Sequence, residues 1–161
     1  MKQAALVFLV VLALAASAAA QNKFSGTAQC GKADKEYKIE VGDRPGHSFG
    51  IAQGKCTWTK GEVAEIQAKE EVWTASGERS GNTLRFRGAS LLSMANGDKV
   101  YFRTEGSITF KDEAPQTDEG KWTFNSGTGK FKGLKGKGTY KCQYPAETSV
   151  CEVEGEYELP K

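Results

Sequence analysis

The run Val150-Cys-Glu-Val-Glu-Gly-Glu-Tyr-Glu-Leu159 alternates without a break. Glu152, Glu154, Glu156 and Glu158 fall on one face, and Cys151, Val153, Gly155, Tyr157 and Leu159 on the other. Period two is the period of a β-strand. A second segment answers it in antiparallel register. With Cys142 opposite Cys151, Lys135 faces Glu158, Lys137 faces Glu156, Lys141 faces Glu152, and Thr139 faces Glu154. On the other face Tyr140 meets Val153, Gly138 meets Gly155, and Gly136 meets Tyr157. One register satisfies the charges, the cysteines and the inner face together, so the pairing is strongly specified. Cys142 then bonds Cys151, and Cys30 is left with Cys56 by elimination, which ties the first strand to the third.

The same alternation recurs along the chain. Tyr37, Ile39 and Val41 share one face of 36–41, and Val100, Phe102, Thr104, Ile108 and Phe110 share one face of 99–110. Turn signals separate such runs at Gly42–Gly46, Ser80–Asn82 and Ala95–Asp98, where Asn96-Gly97 is a strong hairpin turn. The pattern predicts strands at 24–30, 36–41, 47–59, 62–75, 83–94, 98–111, 120–126, 135–143 and 150–159. The segment 62–75 has a helix-like Ala and Glu content, but its even positions line one strand face, interrupted by Glu70. Eight or nine successive strands on one short chain predict an all-β fold, a single antiparallel barrel stapled by disulfides.

Residues 1–20 have the layout of a signal peptide: Met1-Lys2-Gln3, the apolar run Ala4–Ala16, and the small residues Ala18-Ala19-Ala20. The run is barely long enough to span a bilayer and ends in small residues, which disfavours an uncleaved anchor. The expectation is a periplasmic or secreted barrel of residues 21–161 with no stable membrane insertion. Its near-neutral charge gives no global field for nucleic acid. No CxxC spacing occurs and His47 is the single histidine, so neither a metal nor a cofactor is expected.

The stretch Gly127–Tyr140, rich in glycine and lysine, invites a phosphate-cradle reading, but it fits neither phosphate motif. The Walker spacing fails around Gly129-Lys130 and Gly136-Lys137, and Lys132 stands where the third glycine of GxGxxG belongs. A strand whose lysines face glutamates accounts for it better. Lys130 and Lys132 lie outside that pairing and leave a basic rim on which a protein-interaction module can be built.

The run Ser126-Gly-Thr-Gly-Lys-Phe-Lys-Gly-Leu-Lys-Gly-Lys-Gly-Thr-Tyr140 resembles the G-T-G-x-F-x-G-x-x-G-x-G segment of the allene oxide cyclase and dirigent-like barrel superfamily. Asn96-Gly-Asp-Lys-Val-Tyr101 is similar to the hairpin that precedes it in that group. The resemblance implies an eight-stranded antiparallel barrel with an apolar central cavity, often exported and in some members guiding cyclisation or radical coupling of hydrophobic molecules. No catalytic residue of those enzymes has a counterpart in these motifs, and none is carried over.

A barrel interior is the natural ligand site, and the aromatic residues Trp58, Trp73, Phe86, Phe102, Trp122, Tyr140 and Tyr157 are the candidates to line it. The small residues Ser48, Gly50, Ala52, Gly54 and Cys56 share one strand face and leave room if that face is inward. Glu70 is the candidate buried acid, and His47, just after a turn, is assigned to the rim. The expected function is binding of a small apolar or amphipathic molecule, with no catalysis evident and self-association left open. The alternatives are a cyclase- or isomerase-like enzyme using the same cavity and an interaction module at the basic rim. Buried polar groups converging inside favour the enzyme, a purely apolar pocket the carrier.

Overall fold

The computed structural model describes residues 22–145 and 148–160. The signal-peptide segment 1–20 lies outside the described residues. Among them, nine strands form one antiparallel sheet: β1 (Asn22–Cys30), β2 (Lys35–Glu40), β3 (His47–Val63), β4 (Ile66–Ser80), β5 (Thr83–Met94), β6 (Lys99–Lys111), β7 (Ala114–Gly127), β8 (Lys135–Gln143) and β9 (Ser149–Glu158). The order is β1-β9-β8-β7-β6-β5-β4-β3-β2, and a further β1–β3 pairing closes eight strands into a barrel with β2 as an extra strand. The long β3 makes this possible. Its Ser48–Gln53 half pairs with β2, and its Cys56–Gly61 half pairs with β1.

The β8–β9 register is the expected one, from Lys135 opposite Glu158 to Cys142 opposite Cys151. Both disulfides form as expected, Cys30–Cys56 and Cys142–Cys151, each between directly opposed residues. The charges contribute less than the register suggests. Of the three expected lysine–glutamate pairs, Lys137–Glu156 reaches 3.9 Å, while Glu152 accepts a hydrogen bond from Thr27 Oγ1 at 3.0 Å. Exposed contacts of this kind are worth a few tenths of a kcal/mol, so inner-face packing and the bridges hold the register.

Two expected boundaries move, and one expected face turns outward. The predicted strand 62–75 contains a hairpin turn at Ala64–Glu65, where both residues have positive φ, 51° and 64°. Neither is a turn-favouring residue, but Tyr157 Oη, on β9 and two strands away through β1, accepts the Ala64 N–H at 2.9 Å and pins the turn. The predicted strand 120–126 begins six residues earlier, at Ala114, after a second such turn at Asp112–Glu113. Pro115 is tolerated because β7 pairs with β8 only from Thr117 onward. Finally, Tyr37, Ile39 and Val41 do share a face, but it is the outer one, and Ile39 is 74% exposed.

One end of the barrel is plugged by Val63, Ala68, Leu92, Met94, Val100, Phe131 and Leu134, all buried. Phe131 and Leu134 come from the glycine- and lysine-rich stretch, which makes a short 3-10 turn at Gly129–Phe131 and folds under the barrel. Asp98 of the preceding hairpin holds it, accepting the Lys130 N–H at 3.2 Å. Gly129 has φ 48°, and a Cβ there would collide with the Asp98 carboxylate, so glycine is required. The two segments that carry the family resemblance therefore meet in the plug. Lys130 and Lys132 flank it, exposed, at the closed end and not at the cavity mouth. Phe131→Ala should accordingly cost about 3–5 kcal/mol in urea unfolding. Lys130→Ala should change stability by less than about 0.5 kcal/mol.

Candidate functional site

Above the plug the even-numbered residues of β3, from Ser48 to Trp58, face inward, and the run Ser48, Gly50, Ala52, Gly54, Cys56 is small, as expected of a wall that leaves room. The result is an interior cavity of about 750 Å³ that opens toward the β1–β2 loop and the β8–β9 connection. That volume lies within the range of sites that enclose a small organic molecule, roughly 300–1,000 Å³.

Six of the seven expected aromatic residues line this cavity: Trp58, Trp73, Phe86, Phe102, Trp122 and Tyr140. The seventh, Tyr157, is buried but does not reach it and holds the Ala64 turn instead. Phe24 completes the aromatic floor, edge-on to Trp122 and Phe124 at 5.4 and 5.6 Å. Trp122 lies over the paired glycines Gly138 and Gly155, where any Cβ would strike its ring. Its Nε1 donates to the Thr139 and Glu154 carbonyls at 3.2 Å each, which sets the ring's orientation.

The buried acid is Glu71, not Glu70. The β4–β5 register shifts between Ala68 and Glu70, and this bulge turns Lys69 and Glu70 outward together and Glu71 inward. A strict period of two could not show it. Glu71 is 8% exposed, and its Oε2 accepts the Trp58 Nε1–H at 3.1 Å. Burial pushes its pKa up, opposed by Ser90 and Trp58. The Ser90 hydroxyl is close enough to hydrogen-bond to the Glu71 carboxyl and hold its pKa down, but the contact falls short of regular hydrogen-bond geometry, and Ser90 Oγ is otherwise buried without a partner.

Nearer the mouth, Tyr140 Oη donates to Asp118 Oδ1 at 3.0 Å. Burial raises the Asp118 pKa to about 6, with Tyr140 pulling it down and Glu119 pushing it up. Tyr140 is itself pushed up, by burial first, then by Asp118, Tyr144 and Glu71. Tyr140 thus stands between the two carboxyls. The cavity is an aromatic chamber in which Glu71, Ser90, Asp118, Tyr140 and Tyr144 converge. Neither Glu71, Asp118 nor Ser90 carried a local sequence signal beyond its place on a strand.

His47 takes the rim position expected of it, but as a buried clamp at 7% exposure. Its Nδ1 meets Asp43 Oδ1 at 2.5 Å and its Nε2 meets Glu78 Oε1 at 2.9 Å. Bonds to Asp43 and then Glu78 raise its pKa, and both ring nitrogens are occupied, so it is not a general base.

No family model and no curated protein matches the sequence. Solved structures do match in fold. A conserved protein of unknown function from Rhodopseudomonas palustris aligns over 84% of this chain and 97% of its own, at 13% identity and a TM-score of 0.52. A DUF3224-family protein of unknown function from Shewanella oneidensis aligns over 88% and 99%, at 13% identity and a TM-score of 0.50. A pyocyanin demethylase aligns over 81% and 98%, at 13% identity and a TM-score of 0.46, too distant to carry an argument. The first two likenesses support the barrel fold, and no family-model or sequence match confirms the superfamily named above.

The titrations predict a stability that falls as pH rises. Asp118 is protonated in the fold up to about 6 but ionises near 3.8 when unfolded, so its burial costs stability as pH rises through that window, by up to about 3 kcal/mol. Glu71 extends the loss to higher pH. His47, whose folded pKa is raised, stabilises below its unfolded value of 6.5, and that contribution is lost as pH rises through the folded one. Urea midpoints measured from pH 4 to pH 9 should therefore decline, and Asp118→Asn should flatten the lower part of the curve.

Proposed function

We propose that this barrel binds a small, largely apolar or aromatic molecule in its interior. The observation that supports this reading is the open cavity of about 750 Å³ walled by Trp58, Trp73, Phe86, Phe102, Trp122 and Tyr140. A protein whose interior served stability alone gains by filling such a space, because each unfilled void forfeits packing contacts. Here the small residues of β3 and the glycines under Trp122 keep it open while the plug beneath is dense. The two disulfides fit an oxidising, exported setting, and no helix among the described residues is long and apolar enough to cross a membrane.

The test is binding of the uncharged fluorophore N-phenyl-1-naphthylamine. Micromolar binding with strong enhancement is expected. Ala75→Trp, which fills the cavity from β4, should weaken it at least tenfold with the fold intact by far-UV circular dichroism. Equal affinity in both proteins would place the dye on the surface and sink the proposal.

A second reading is favoured by the polar groups that converge inside: an isomerase that moves a proton within its bound substrate. Asp118, near half-ionised at mildly acidic pH and exposed to the cavity, would take the proton from one carbon and return it to another. Deuterium incorporation into a bound β,γ-unsaturated ketone should then be lost in Asp118→Asn while ketone binding persists. Retained exchange in that variant would exclude this role.

A further inference from the structure

Resting on the cavity-binding reading, the composition of its wall narrows the ligand. Ser90, on β5, lines the cavity at 6% exposure, and its Oγ is buried without a hydrogen-bond partner. A buried hydroxyl without a well-formed hydrogen bond forfeits up to about 1–3 kcal/mol, so it marks a place where a better-placed partner fits. Glu71, on β4, lies beside it. Trp58, from β3, occupies Oε2, and Tyr140, from β8, is near enough for Glu71 to raise its pKa. Asp118, from β7, acts on the same Tyr140.

Among the described residues, no positive charge acts on Glu71. The cationic side chains that line the cavity are Lys32, Lys38 and Arg79, all from elements at its mouth. Lys38 is held by Glu40 at 2.6 Å, and Arg79 by Glu113 at 2.8 Å and by the Phe110 ring. None of them acts on Glu71, whose ionisation is governed by burial, Ser90 and Trp58. A hydrocarbon would leave both Glu71 and Ser90 unmatched. An anion would meet two carboxyls. A cationic donor satisfies both groups, and the aromatic walls take the rest of the molecule.

We propose that Glu71 and Ser90 form the recognition subsite for an ammonium group carried on an aromatic body, so that the ligand class is an arylalkylamine. The ammonium donates one hydrogen bond to the Glu71 carboxylate and one to Ser90 Oγ, and the ring lies among Phe24, Trp58, Phe102 and Trp122. The proton balance follows. Burial raises the Glu71 pKa in the empty barrel, and an arylalkylamine is already cationic at neutral pH. A bound ammonium lowers that pKa again, so formation of the ion pair favours release of a proton to solvent.

The experiment is isothermal titration calorimetry of the full domain with three probes that share one ring: 1-naphthylmethylamine, 1-naphthylmethanol and 1-naphthylacetate. The amine should bind at least tenfold more tightly than the alcohol, and the acetate most weakly. Titrations in phosphate and in Tris should give a larger proton release for the amine than for the alcohol. Glu71→Gln should abolish the amine's preference over the alcohol, and Ser90→Ala should reduce it several-fold. The comparison of amine with alcohol needs no variant, so it decides even if Glu71→Gln does not fold. Equal binding of amine and alcohol without proton release overturns the subsite while the cavity reading stands. Failure of all three probes, together with failure of N-phenyl-1-naphthylamine, overturns the cavity reading as well.

Discussion

Everything else in this fold depends on β1 bonding two strands at once. It pairs with β9 along its whole length and with β3 from Gly26 to Cys30. This closure removes the open edges of an eight-stranded sheet and satisfies their backbone groups without solvent. It also demands local departures from regular pairing, namely a bulge between Thr27 and Ala28 and the shift between Thr57 and Glu62 in β3–β4. The Cys30–Cys56 bridge lies at the end of this seam. Closing a loop with a sequence separation of 26 restricts the unfolded chain by about 3–4 kcal/mol and opposes fraying where the sheet joins itself.

Closure divides the interior into two parts with opposite economies. At one end, aliphatic side chains and Phe131 fill the space completely and supply the stability. Toward the mouth, the wall carries small residues on β3, aromatic rings on the facing strands, and acids with no cationic partner. Such a wall destabilises the protein, through unfilled volume and through carboxyls whose pKa burial raises. Natural proteins tolerate such costs where a ligand offsets them, which ties the energetics of this region to its use.

The extra strand β2 shows the same sequence pattern put to another end. Its apolar residues face solvent beside Phe49 and Ile51 of β3, and Lys35 and Lys38 stand along it. Charged side chains on an edge strand discourage further strand addition. His47 anchors the turn that follows β2 to β4 through Asp43 and Glu78.

The sequence by itself determined most of the strands, the β8–β9 register, both disulfides, most of the aromatic lining and the shared face of the small residues on β3. These follow from period-two alternation and from pairs of residues that must coincide in one register, both of which are local properties of two adjacent strands. The tertiary structure decided the rest. Glu71 replaces Glu70 inside because a bulge reverses the alternation, and a bulge answers to the twist that closure imposes on β4. The turn at Ala64–Glu65 is held by Tyr157, which the closure through β1 brings within reach from β9. Ser90, Asp118 and Tyr140 meet only because three separate strands curve around one space, and no spacing along the chain encodes that meeting.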